Sequence, residues 1–284
     1  MSDEWKELFE GQRPTELALW VRRQGRFASG PPRALADDEL LLLGGAGESG
    51  RSSRKPAEVG SPTCVALTPS TGQLPEEFQV SLKEARERYP GAELCGFGPP
   101  GWSAAGGPGL DRLVVKIGLV EETFTSSEDW QIKLDSSPSV PFSAVLAYSP
   151  RVTSPALQEA VRALEGKPSP ASVIPLPLSA GDRIPLQGLT TPGTTDMMVI
   201  SALRYLLPPE VRVRASWGAL GWKVAQLALL YGADELAGWT AAEACAYTGR
   251  VRAAARVEEK ELLQGLTEAG TGRRPWCPER AGRV

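Results

Sequence analysis

The sequence predicts an α/β protein built as a TIM-barrel-like (β/α) barrel, complete or short of eight strands, with helices at its N-terminus. Two observations lead there. Short apolar runs of strand length alternate with amphipathic stretches of ten or more residues, an order that implies a parallel sheet with crossover helices. The chain has 284 residues, 42% hydrophobic and 23% charged, and so can bury a sizeable core in a single barrel. A doubly wound open sheet is the other architecture with this alternation.

The elements follow in order. Residues 3–27 carry two short helical patterns, with Trp5, Leu8 and Phe9 in the first and Leu17, Leu19, Trp20 and Val21 in the second. Residues 1–30 therefore form N-terminal helices. Residues 31–61 shift to Gly, Pro, Ser and Arg around one apolar run, Glu39-Leu-Leu-Leu-Leu-Gly44, which reads as a first strand and a Gly/Ser-rich loop. From residue 62 to 276 the barrel proper is expected, followed by a flexible tail at 277–284. It opens with a strand over 63–68 and a helix over 75–89, where Phe78, Leu82, Ala85 and Tyr89 line one face behind Pro75. Strands follow at 93–97, 112–119, 142–148, 172–178 and 211–217, and helices at 154–164, 195–207, 221–231 and 257–268. Six or seven strands result.

Composition excludes several functions. A net charge of −3 gives no basic field for phosphate backbones, so nucleic acid is not an expected partner. The acidic start Met1-Ser-Asp-Glu-Trp-Lys-Glu-Leu8 lacks the basic and apolar regions of a signal peptide, and no later stretch is long and apolar enough for a membrane span. A cytoplasmic location is expected. Cys64, Cys95, Cys245 and Cys277 form no CxxC pair and read as buried small hydrophobes. There is no histidine, the commonest general base near neutral pH. No metal ligands and no catalytic residues are predicted.

Ligand-binding candidates sit where barrel strands end. Gly45-Ala46-Gly47-Glu48-Ser49-Gly50 fits a GxGxxG pattern directly after a strand, with Arg51, Arg54 and Lys55 beyond it as phosphate contacts. The residues that follow start no helix, and no acid closes the next strand, so the commoner reading is a surface loop. Gly45, Gly47, Gly50 and Arg51 remain candidates, together with Thr68, Trp102, Tyr148, Trp217 and Gly218. The acids Glu121, Glu122, Glu128 and Asp129 read as a solvated helix cap behind Ser127. Trp217 and Trp222 bracket Gly218 and Gly221 at a turn, where packing is the commoner role and stacking on a planar ligand the other.

Several stretches together resemble a known family. Pro62-Thr-Cys-Val-Ala-Leu-Thr68, Leu74-Pro-Glu-Glu-Phe78 and Tyr89-Pro-Gly-Ala-Glu-Leu-Cys-Gly-Phe97 are similar to a strand, helix and strand of the radical S-adenosylmethionine enzymes of the futalosine route to menaquinone. These are aminofutalosine synthase and dehypoxanthine futalosine cyclase, with the FO synthases as cousins. Ser127-Glu-Asp-Trp130 and Ile174-Pro-Leu-Pro-Leu178 also look like family segments. The most specific stretch is Trp217-Gly-Ala-Leu-Gly-Trp-Lys-Val-Ala-Gln226 with Gly232-Ala-Asp-Glu-Leu-Ala-Gly238. The likeness runs over about residues 62–276.

The departures matter as much. Family members hold a four-iron cluster through a CxxxCxxC triad after the first strand, and the open iron cleaves S-adenosylmethionine. Residues 23–61 contain no cysteine, and where the family has Gly-Gly-x-His-Pro this chain has Pro69-Ser-Thr-Gly72. The resemblance therefore implies a member without the cluster, with iron–sulfur and S-adenosylmethionine expected only in its relatives and no cofactor of its own. A pathway metabolite or an active homologue is the expected partner, in a binding or regulatory role. A cluster-independent enzyme, or a nucleotide- or phosphate-binding protein of the same pathway, is the alternative.

Overall fold

The computed structural model describes residues 3–26, 32–34, 40–43, 64–67, 75–97, 110–119, 142–164, 170–177, 191–238, 257 and 259–268. Among the described residues nine parallel strands form a sheet: β1 (Arg33–Ala34), β2 (Leu40–Leu43), β3 (Cys64–Leu67), β4 (Glu93–Phe97), β5 (Arg112–Leu119), β6 (Phe142–Tyr148), β7 (Ser172–Pro177), β8 (Arg212–Ser216) and β9 (Glu235–Ala237). Their spatial order runs from β2 to β9 without reversal, with β1 beyond β9. A doubly wound sheet reverses its strand order at a switch point, and this sheet has none.

Chain length shows that the sheet is rolled. A flat sheet would place β1 and β2 eight strand spacings apart, about 38 Å at ~4.8 Å each. Only positions 35–39 join them, and six Cα steps of ~3.8 Å reach about 23 Å. The two edges must therefore curl toward each other, which is a barrel-like architecture. Among the described residues no ladder joins β1 to β2.

Among the described residues the helices are α1 (Glu4–Glu10), α2 (Pro14–Arg23), α3 (Pro75–Arg88), α4 (Ser154–Leu164), α5 (Gly193–Leu206), α6 (Trp217–Leu220), α7 (Trp222–Ala228) and α8 (Glu259–Glu268), with a 3₁₀ turn at Leu229–Tyr231. Pro14 stands in the first turn of α2, where its missing N–H is no loss. Trp5, Leu17, Trp20 and Tyr205 bring α1 and α2 onto α5, with the Trp20 and Tyr205 rings 4.6 Å apart. The N-terminal helices thus lie against the body of the protein, as the sequence predicts.

Strand faces divide by the two-residue period. Phe142, Ala144, Leu146 and Tyr148 of β6, with Val211, Val213 and Ala215 of the β8 region, share the core with α5. The opposite face carries Ser143, Val145 and Ala147, then Ser172 and Ile174, then Arg212, Arg214 and Ser216, all buried. Near the starts of β8 and β9 sits an ionic cluster. Arg204 of α5 donates to Asp234 Oδ2 at 2.8 Å and to the Val211, Leu207 and Pro208 carbonyls, and Arg214 donates to Glu235 Oε2 at 2.9 Å. Gly232, at φ +110°, lies where a Cβ would stand 2.9 Å from Arg204 Cβ.

The sequence-predicted elements differ from the structure in three places. Strands β1 and β9, of two and three residues, are additions, too short to register as apolar runs. The strand expected over 211–217 ends at Ser216, because Trp217 already begins α6. The helix expected over 221–231 divides into α7 and the 3₁₀ turn, with Gly221 at φ +80° separating it from α6.

Candidate functional site

In parallel barrels the loops at the C-terminal strand ends carry function. Here that end is marked by Tyr148 on β6, Pro177 on β7, Ser216 on β8 and Ala237 on β9. Tyr148 is wholly buried, and its hydroxyl donates to Asp196 Oδ1 at 2.6 Å. Asp196 lies in the first turn of α5, 48 positions away in sequence, and is 5% exposed. The pair ties the end of β6 to the start of the helix that follows β7.

Burial dominates the electrostatics of Asp196. It pushes the carboxyl from 3.8 up to about 6, although the Tyr148 hydrogen bond favours the charged form. The dipole of α5 also favours charge there, but is worth only about 0.3–1 kcal/mol. A lift of about two pKa units corresponds to about 3 kcal/mol, so burial outweighs it. Near neutral pH the group exchanges its proton readily, which is the property an acid–base or ligand-binding carboxylate needs. Five residues upstream, the Thr191 hydroxyl oxygen is buried without a hydrogen-bond partner.

The N-terminal helices brace this end. Glu10 of α1 accepts a hydrogen bond from the Ser154 N–H at 2.9 Å, at the start of α4. Ser149, the residue after Tyr148, accepts from the Arg151 N–H at 3.1 Å. The turn that leaves β6 is therefore held at both of its ends.

Of the sequence-predicted site residues, Tyr148, Trp217 and Gly218 fall among the described residues. Gly45, Gly47, Gly50, Arg51, Thr68 and Trp102 lie outside them, as do Arg54 and Lys55. Trp217 is 4% exposed and meets Trp222 edge-on, with ring centroids 5.7 Å apart. Gly238 lies so close that a Cβ there would fall on the Trp217 ring. The indole thus packs between the β9 exit and α7, the commoner of its two expected roles. Gly218 is half-buried beside it.

Sequence reasoning passed over Asp196 and Thr191. The signal was present: residues 196–206 are buried throughout, and in so apolar a helix an acid needs an explanation. Among the described residues no group of three or more Cys, Asp or Glu stands close enough to hold a metal ion. No described helix is long and apolar enough to cross a membrane.

No family model matches the sequence, and no curated protein is a significant match. Among solved structures, methylornithine synthase (PylB) is similar over 97% of this chain and 90% of its own, at 13% identity and a TM-score of 0.49. The aldolase QR15 is similar over 74% of this chain and 90% of its own, at 13% identity and a TM-score of 0.38.

Proposed function

We propose that this chain is a cluster-free relative of the radical S-adenosylmethionine barrels of the futalosine pathway, and that it binds a small molecule at the C-terminal end of its sheet in a regulatory role. The carrying observation is the cysteine pattern. Four cysteines stand at 64, 95, 245 and 277, where the chemistry needs three within a single short loop. Cys64 begins β3, and Cys95 is buried within β4, so neither belongs to a loop after the first strand. The residues present do not fit a four-iron cluster, and no step is derived through one.

What supports a binding role is the Tyr148–Asp196 pair, a buried polar arrangement at the end of the sheet where ligands of such barrels dock. A second reading, a cluster-independent enzyme, is favoured by the same carboxyl. Its proton affinity near 6 suits general acid–base work, with Tyr148 as a positioning residue.

Anaerobic iron–sulfur reconstitution, followed by iron content, visible absorption and S-adenosylmethionine cleavage, tests the proposal. The expected result is no stable cluster and no cleavage. A stable cluster that cleaves S-adenosylmethionine refutes it.

A further inference from the structure

We infer that α2 and the turn beside it form a two-fold interface between two copies of this chain. Four large apolar side chains stand exposed among the described residues, and three of them gather here: Leu19 at 47%, Leu227 at 44% and Leu230 at 36%. Leu19 stands on α2, and Leu227 and Leu230 stand three positions apart where α7 runs into the 3₁₀ turn. Two hydrogen bonds hold that turn against α2. Arg22 Nη2 donates to the Leu230 carbonyl at 2.6 Å, and the Thr15 and Tyr231 hydroxyls meet at 3.2 Å. The three leucines therefore belong to one surface. Single exposed apolar residues are ordinary, whereas a patch of them marks a contact.

The charge order along α2 decides what covers the patch. Leu17, Ala18, Trp20 and Val21 turn inward, which puts Leu19 at the centre of the outward face. At about 100° per residue, Glu16 and Arg23 lie about 40–60° to one side of Leu19, and Thr15 and Arg22 about 40–60° to the other, toward the turn. A two-fold axis across α2 at Leu19 sets two copies of the helix antiparallel and keeps each flank on its own side. On one flank Glu16 of each copy then meets Arg23 of the other. At the centre Leu19 meets its own mate, and on the remaining flank Leu227 and Leu230 meet theirs. An acid toward one end of the helix and a base toward the other is the order that an isologous contact needs. A parallel pairing would set Arg23 against Arg23.

Glu16 also meets Arg13 of its own chain at 3.3 Å, but both side chains are well exposed and such a pair is worth little. One helix face with three leucines is smaller than the ~800 Å² per partner of a standard interface. The dimer is therefore weak and reversible, with a dissociation constant of about 10 μM to 1 mM.

Sedimentation equilibrium of the full chain, from about 5 μM to about 1 mM, tests this. The wild type should pass from monomer toward dimer across that range. Leu19→Glu sets two acids together on the axis and should weaken association by about tenfold or more. Glu16→Arg and Arg23→Glu should each weaken it by about threefold or more, whereas both exchanges in one chain restore opposite signs and should return it to within about twofold of wild type. All three positions are exposed, and circular dichroism checks that each variant is folded. A chain that stays monomeric throughout overturns the inference and leaves the patch to a different protein. A dimer that Leu19→Glu or the single exchanges leave intact, or that the double exchange fails to restore, overturns it as well.

Discussion

Replacing Asp196 with Asn should make stability depend differently on pH, and the structure fixes the sign. Burial lifts the Asp196 carboxyl from 3.8 to about 6. Folding therefore favours the protonated acid. Its contribution is fully present below the unfolded value of about 4 and is lost as pH rises through about 6. A lift of about two units at 1.36 kcal/mol each gives about 3 kcal/mol as the upper limit. Asparagine is neutral at every pH, nearly isosteric, and keeps an oxygen to accept the Tyr148 hydrogen bond. The variant's advantage over wild type, read from urea unfolding, should grow by about 1 to 3 kcal/mol between pH 4.5 and pH 8. The difference between the two proteins cancels the titration of every other group. A difference that stays flat across that range, or that shrinks with rising pH, would refute the reasoning.

Three further outcomes follow from the same geometry. Tyr148→Phe removes the hydrogen bond that favours ionised Asp196; it should cost about 1.5–3 kcal/mol at pH 8 and less at pH 4.5, read by the same unfolding curves. Gly238→Ala drives a methyl group onto the Trp217 ring, so stability should fall by about 1–3 kcal/mol with a shift in tryptophan emission. Arg204→Met leaves Asp234 buried without its cation and should cost about 3–5 kcal/mol in urea unfolding, with Asp234→Asn in the same chain restoring part of the loss.

Long periodic segments were legible in the sequence. The helix at 154–164 and the strands at 93–97, 112–119 and 142–148 lie where period and length placed them. The short strands were not, because two or three residues carry no period. Arg33–Ala34 is a strand only because β9 lies alongside, and Glu235–Ala237 only because β8 holds its other edge. Of the Tyr148–Asp196 pair, one member was legible in the sequence. Tyr148 was singled out as a candidate because it stands at a strand end of a parallel sheet. Its partner was missed because the pairing joins residues 48 positions apart, which the parallel pairing of β6 with β7 and the helix that follows β7 bring together. Asp196 also looked ordinary, as an acid in the first turn of a helix is commonly a solvated cap. The surrounding Met197, Met198, Val199 and Ile200, all buried, mark it as something else.

The account centres on one buried carboxyl held by Tyr148 at the C-terminal end of the barrel sheet. The most direct test is a carbon-13 NMR titration of the aspartate carboxyls in wild type, Asp196→Asn and Tyr148→Phe. One resonance should titrate near 6, be missing in Asp196→Asn, and move to higher pH in Tyr148→Phe. An Asp196 resonance that titrates in the ordinary range near 4, unchanged by the loss of the Tyr148 hydroxyl, would contradict the account.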